Sequence, residues 1–124
     1  MSEPERKTIL LVEDEDVVRR LVHQMLTRQG YEVITAPDPE IALKLFTEDN
    51  LRPDLLITDV VMPKMNGREL AAKLLETQPD LRILYISGYS SSALEGTADP
   101  SMVLLQKPFT MNDLVVRVSE RLAS

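Results

Sequence analysis

The sequence predicts an α/β fold with a doubly wound, five-stranded parallel sheet, and two observations support this prediction. Short apolar runs alternate along the chain with stretches whose apolar residues recur at helical spacing. The runs are apolar at consecutive positions, which is typical of strands covered by helices on both faces. Because 124 residues suit one compact domain, we expect a single domain over residues 1–124, frayed at residues 1–7.

The apolar runs are predicted as strands at residues 8–12, 32–35, 55–58, 82–86 and 102–105. With right-handed crossovers, the expected strand order is 2-1-3-4-5, which is the flavodoxin-like order. In such sheets the functional crevice lies beyond the carboxyl ends of the strands, at the switch point between strands 1 and 3.

The stretches between the strands are predicted as five amphipathic helices. Their apolar faces comprise Val17, Val18, Leu21, Val22, Met25 and Leu26 in the first, Ile41, Ala42, Leu45 and Phe46 in the second, Leu70, Ala71, Leu74 and Leu75 in the third, and Leu114, Val115, Val118 and Leu122 in the last. The fourth helix, at residues 90–95, has only a short pattern. Asp16 is expected to cap the start of the first helix and Gly30 to close its end.

Composition and charge exclude several classes of protein. The net charge is −6, with 14 basic residues against 20 acidic ones, so we expect no direct binding of nucleic acid. The apolar run at residues 9–12 is too short for a signal peptide or a membrane span, and we expect no membrane insertion. Cysteine is absent, which excludes thiolate metal sites and suits a cytoplasmic protein.

Polar residues follow four of the five predicted strands. Glu13 and Asp14 follow strand 1, Asp59 follows strand 3, Ser87 follows strand 4, and Lys107 follows strand 5. Carboxylates at adjacent strand ends repel each other, and a hard divalent cation relieves that repulsion. A carboxylate set without His or Cys indicates Mg²⁺, with Mn²⁺ as an alternative. The Lys107 ammonium and the Ser87 hydroxyl could reach phosphoryl oxygens in this crevice.

Ordinary structural roles explain other polar residues. Glu15 and Asp16 suit the acidic first turn of a helix. Asp54 precedes strand 3 and should lie roughly 16 Å from the crevice, at the opposite edge of the sheet, so we assign it no role in the site. His23 is the single histidine, and its mid-helix position indicates a packing or surface residue.

Four motifs, in this order and spacing, resemble the receiver domains of two-component response regulators. They are residues 10–15 (LLVEDE), 58–67 (TDVVMPKMNG), 86–88 (ISG) and 107–109 (KPF). Together they span nearly the whole chain. The resemblance implies a signalling phosphoacceptor that catalyses only its own phosphorylation and dephosphorylation. Its phosphodonor would be a histidine kinase or a histidine phosphotransfer protein, and a downstream protein partner would read the phosphorylated surface.

The resemblance also implies residue roles on the acidic side of the crevice. Asp59 corresponds to the phosphorylated aspartate. Asp14 corresponds to a metal carboxylate, and so does Glu13, through water or directly. The backbone carbonyl of Val61 corresponds to a further metal ligand.

On the opposite side of the crevice, Ser87 corresponds to the hydroxyl residue that closes on the phosphoryl group, and Lys107 to the lysine of the family motif. Pro108 follows this lysine, and a cis bond there would aim Lys107 into the crevice.

Two departures from the family pattern concern the conformational switch and the rate of dephosphorylation rather than the ability to accept a phosphoryl group. Leu104 stands where receivers commonly carry a switching Tyr or Phe, which places the usual hydroxyl-to-aromatic coupling in question. Val61 and Tyr89 stand where side chains flank the path of hydrolytic water. Because the first is apolar and the second bulky, we expect slow dephosphorylation.

Three alternatives compete with this interpretation. A binding-only pseudo-receiver would be expected to lack Asp59, Asp14 or Lys107, and all three are present. A hydrolase of the haloacid dehalogenase type would need an acid/base Asp at position 61. A flavin mononucleotide binder would need a Ser/Thr-rich loop after strand 1. Residues 86–89 and 104–109 resemble receivers of hybrid histidine kinases, although a free-standing receiver or one cut from another longer protein stays open.

Overall fold

The computed structural model describes residues 6–60, 65–87, 104–106 and 109–123. Five described strands form one parallel sheet in the order β2-β1-β3-β4-β5, which confirms the predicted fold class and strand order. Their bounds are Thr8–Val12 (β1), Glu32–Ala36 (β2), Leu55–Asp59 (β3), Arg82–Ser87 (β4) and Leu104–Gln106 (β5). The strands β2, β3 and β4 each run one residue further than predicted, and β5 includes the described part of the predicted fifth strand.

Strand register brings the carboxyl ends of the central strands together. Val12, the last residue of β1, pairs with Ala36 of β2 and with Thr58 of β3. Asp59 pairs in turn with Ile86 of β4. The residues that leave β1, β3 and β4 therefore emerge side by side at one edge of the sheet.

The described helices are Asp16–Arg28 (α1), Pro39–Thr47 (α2), Gly67–Thr77 (α3) and Met111–Ala123 (α4). Side chains cap three of them: the Asp38 carboxylate accepts from the Ile41 N–H at 2.9 Å, the Asn66 side chain accepts from the Glu69 N–H at 2.8 Å, and the Thr110 hydroxyl accepts from the Asp113 N–H at 3.0 Å. Gly30 has φ +97° just beyond the end of α1, as expected for a residue that closes a helix. The predicted helix at residues 90–95 lies outside the described residues.

The prediction that Asp16 caps α1 is wrong. Glu15 occupies the cap position, with extended backbone angles (φ −83°, ψ 115°) and no side-chain cap hydrogen bond. Asp16 is already the first helical residue, and its carboxylate forms an ion pair with Arg19 one turn later. An acidic residue here favours the positive end of the helix dipole without capping it.

Helices cover both faces of the sheet and enclose two cores. The α2–α3 layer buries residues of those helices and the even-numbered positions of β1, with Leu10, Leu56, Leu70 and Leu74 fully buried. The α1–α4 layer buries residues from the opposite sheet face against those two helices, for example Leu114 of α4. Alternate strand residues thus enter opposite cores, which accounts for the unbroken apolar runs in the sequence.

The apolar face predicted for α1 is only partly buried. Val22, Met25 and Leu26 are in the core, and Val18 packs against it. Val17 is 78% exposed and Leu21 is 49% exposed, so their assignment to the inner face is wrong. A helix that lies on a sheet buries a stripe, and these two residues fall outside that stripe. On α2, Ile41 is similarly exposed at 39%.

Candidate functional site

Three carboxylates converge at the carboxyl edge of the sheet. Glu13, Asp14 and Asp59 each offer an oxygen, and these oxygens lie within 4.8 Å of one another. Asp14 is exposed, whereas Glu13 and Asp59 are only 1% and 6% exposed. The sequence therefore predicted correctly that these three side chains meet at the switch point between β1 and β3.

Backbone contacts fix the short β1–α1 loop that carries two of these acids. The Glu13 N–H donates to the Ala36 carbonyl at 3.2 Å, which continues the β1–β2 pairing by one step. The Glu13 carbonyl accepts from Arg19 Nη1 at 2.9 Å, and the Glu13 carboxylate accepts from the Glu15 N–H at 3.3 Å. Hydrogen bonds thus hold both the N–H and the carbonyl of Glu13. The backbone of the next residue, Asp14, therefore begins at a fixed position.

The end of β3 is fixed by packing and by a close approach of α3. All five residues of β3 are buried. The Val60 N–H donates to the Ile86 carbonyl at 3.0 Å, and the Gly67 N–H donates to the Val60 carbonyl at 2.8 Å. A Cβ atom on Gly67 would stand 2.2 Å from the Asp59 carbonyl oxygen. Only glycine allows α3 to begin this close to Asp59 without a shift of the backbone.

Sequence reasoning missed Arg19 and Gly67 as residues that support the site. The contact that requires glycine at position 67 is with the backbone oxygen of Asp59, and no sequence pattern marks such a contact. No sequence signal distinguished Arg19 from other helical arginines, since its contact is with the backbone of another segment.

The phosphoryl-facing side of the predicted site is only partly described. Ser87 is the last residue of β4 and pairs with Gln106 of β5, directly before position 107. Leu104 begins β5 and pairs with Tyr85. The other predicted residues of this side, and the predicted backbone ligand, lie outside the described residues: Val61, Tyr89, Lys107 and Pro108.

No role in the site was predicted for Asp54 or His23, and Asp54 lies at the opposite edge of the sheet. Asp54 precedes β3 at the amino edge, where its carboxylate accepts from the Thr8 N–H at 2.8 Å. His23 is half-buried on α1 and lines an open surface cavity with Arg19, Arg20, Gln24 and Thr35.

The donor set of the cluster suits a hard divalent cation. Its three oxygens come from carboxylates alone, and oxygen ligands of this type suit Mg²⁺ or Mn²⁺ rather than the softer transition metals. Three like charges in a largely buried position repel each other, and a bound cation would offset that repulsion. The residues that are present therefore fit the predicted Mg²⁺.

A doubly wound parallel sheet with an acidic cluster at its switch point defines the class of the protein. Within that class, residues 9–119 match the family described as the response regulator receiver domain. The chain belongs to this family of two-component signalling domains.

Relatives with two different architectures are similar to the chain. It is 37% identical to the response regulator receiver protein CpdR of Brucella abortus over 94% of its own length and 97% of that protein. It is 38% identical to the sensor kinase CckA of the same organism over 93% of its own length, but it spans only 12% of that kinase. The sequence identity of the chain to a small receiver protein is thus nearly the same as its identity to one segment of a large kinase.

Solved structures give the same fold. The crystal structure of a response regulator receiver protein from Sinorhizobium medicae superposes with a TM-score of 0.86 at 28% identity, with 97% of each chain covered. Among the residues that our structure describes, no helix is both long and apolar enough to cross a membrane.

Proposed function

We propose that this receiver domain accepts a phosphoryl group on Asp59 from a phosphohistidine of a histidine kinase or a histidine phosphotransfer protein, in a Mg²⁺-dependent reaction. The convergence of the Glu13, Asp14 and Asp59 carboxylates at the end of β3 carries this proposal. Asp59 pairs with Ile86 of β4, and the start of α3 lies against its carbonyl, so the backbone that carries this carboxylate has a fixed position.

In the proposed reaction, a carboxylate oxygen of Asp59 attacks phosphorus in line as the bond from phosphorus to the imidazole nitrogen breaks. The electron pair of that bond leaves with the imidazole, and Asp59 becomes an acyl phosphate. A later attack of water on phosphorus releases inorganic phosphate and restores the carboxylate. Protein residues contribute mainly by position and charge, because a transferring phosphoryl group needs little covalent assistance.

Glu13, Asp14 and the Val61 carbonyl are the proposed holders of Mg²⁺, together with Asp59 itself. When bound, Mg²⁺ would neutralise the charge that otherwise keeps an anionic phosphoryl donor away from three carboxylates. Lys107 and Ser87 are the proposed partners of the remaining phosphoryl oxygens. Their movement toward the new dianion would shift a two-state surface that a downstream partner reads. We place this signalling function in the cytoplasm.

The decisive test is the intact mass of the protein after addition of Mg²⁺ with acetyl phosphate or phosphoramidate. We expect a Mg²⁺-dependent gain of one phosphoryl group in the wild type and no gain in Asp59→Asn. The matched control is Asp54→Asn, which makes the same substitution at the other end of β3 and should keep the gain. A wild type that gains no mass with either donor would favour a binding-only pseudo-receiver.

A further inference from the structure

We infer that Arg19 is a positioning residue of the Mg²⁺ site, and this inference rests on the proposed function. Its guanidinium donates through Nη1 to the Glu13 carbonyl at 2.9 Å and through Nη2 to the Asp16 carboxylate. Only 18% of the Arg19 side chain is exposed. The side chain therefore bridges the end of β1 and the first turn of α1, which are the two ends of the loop that carries Asp14.

The loop is short, and Arg19 contacts it at both ends. It contains only residues 13–15, and no side chain caps the helix that follows. The Glu13 N–H is fixed by β2 through the Ala36 carbonyl, whereas the Glu13 carbonyl is held by Arg19. The backbone N–H of Arg19 also donates to the Glu15 carbonyl at 2.9 Å. Arg19 thus contacts both sequence neighbours of Asp14. Its side chain binds Glu13, and its backbone N–H binds Glu15.

The geometry of this bridge requires a guanidinium. Arginine presents several donors in a planar fork, so it can bind a carbonyl and a carboxylate at the same time in fixed directions. A lysine would carry the same charge, but its single ammonium on a flexible stem cannot hold both partners in that arrangement. Outer residues that orient metal ligands typically change metal affinity by about 10–100-fold when they are removed.

The charge of Arg19 and its positioning role predict opposite changes in Mg²⁺ binding when the side chain is removed. A guanidinium near a cation site repels the cation, so its removal should tighten Mg²⁺ binding if charge alone matters. If Arg19 instead holds Glu13 and Asp14 in a binding geometry, its removal should weaken Mg²⁺ binding. The sign of the change therefore separates the two roles.

The experiment is a calorimetric Mg²⁺ titration of the wild type, Arg19→Lys, Arg19→Ala and Arg20→Ala, without any phosphodonor. We expect Arg19→Ala to bind Mg²⁺ about 10-fold more weakly and Arg19→Lys to be intermediate. The control Arg20→Ala removes the same charge from an exposed neighbour and should stay within about twofold of the wild type. In phosphorylation assays, the half-saturating Mg²⁺ concentration should rise in the Arg19 variants while the rate at saturating Mg²⁺ stays near the wild-type value.

Unchanged or tighter Mg²⁺ binding by Arg19→Ala would overturn the inference. If that variant does not fold, as judged by its thermal unfolding without metal, Arg19→Lys decides. It keeps the charge, so wild-type affinity in this variant also overturns the positioning role. A wild type that binds no Mg²⁺ and takes up no phosphoryl group would instead overturn the proposed function itself.

Discussion

Asp54 precedes β3 and Asp59 ends it, and their carboxylates have opposite surroundings. At the amino edge, the half-buried Asp54 carboxylate accepts from the Thr8 N–H, while the Asp54 N–H donates to the Thr8 carbonyl at 2.8 Å. At the carboxyl edge, the buried Asp59 carboxylate lies among two further carboxylates. The first acid joins β1 to β3, whereas the second is a member of the acidic cluster. In this domain, the edge of the parallel sheet on which an aspartate lies decides whether that aspartate supports the fold or is available for chemistry.

Gly67→Ala, which disturbs the backbone at the carboxyl edge, should have the largest effect on stability and on the phosphorylation rate. The added methyl group would stand 2.2 Å from the Asp59 carbonyl oxygen, so α3 or the end of β3 must move. Overpacking of this kind should lower the free energy of unfolding by about 3 kcal/mol in urea titrations. Phosphorylation at saturating Mg²⁺ should slow at the same time, because Asp59 moves with its backbone.

The matched control is Gly30→Ala, which lies in open space but has φ +97°. Backbone strain there should cost about 1–2 kcal/mol, at the edge away from the acidic cluster and without slowing phosphorylation. If both variants slow phosphorylation in proportion to their lost stability, the two edges of the sheet do not differ as we describe.

An intermediate effect is expected when the amino-edge aspartate loses its carboxylate. Asp54→Ala leaves the Thr8 N–H without its side-chain acceptor, and hydrogen bonds to charged groups contribute about 2 kcal/mol. Urea unfolding should show a loss of that size, and Asp54→Asn, which keeps an acceptor oxygen, should lose less. Both variants should phosphorylate at the wild-type rate. A slower rate in either would mean that the amino edge also contributes to the chemistry.

The smallest change in the free energy of unfolding is expected for Asp14→Asn, and it should have the opposite sign. Removal of one clustered charge should raise the free energy of unfolding by roughly 0.5 kcal/mol when no divalent cation is present. With excess Mg²⁺ the order should reverse, because the wild type gains binding free energy that the variant loses. The control Glu76→Gln removes an exposed charge on α3 and should show no such reversal. An Asp14→Asn variant that is less stable in both conditions would show that the cluster carries no net repulsion.

The sequence was sufficient to predict the sheet, because buried parallel strands are apolar at consecutive positions. Four predicted strands begin at the residue where the structure begins them, and their ends differ by at most one residue. The errors lie where local pattern competes with tertiary geometry. Val17 and Leu21 continue the apolar pattern of α1, but the sheet covers only part of that helix. Asp16 is a good capping residue by type, but the chain enters the helix one residue earlier, at Glu15.

The acidic cluster was predictable for the same topological reason. Strand order alone places Glu13, Asp14 and Asp59 at one edge, and their residue types indicate the chemistry. The supporting residues Arg19 and Gly67 were not predictable, because their contacts are with backbone atoms of Glu13 and Asp59. Every residue has such atoms, so no sequence pattern marks which of them will be approached.

The two core layers have different consequences for a chain made from its amino terminus. The buried residues of the α2–α3 layer all lie between Leu10 and Tyr85. The α1–α4 layer also requires Leu105, Leu114 and Val118. One half of the domain can therefore close while synthesis continues, whereas the part of the other face that α4 covers stays open until most of α4 has left the ribosome. During that interval β4, which α4 covers in the finished domain, has one protected face and one that a chaperone could bind.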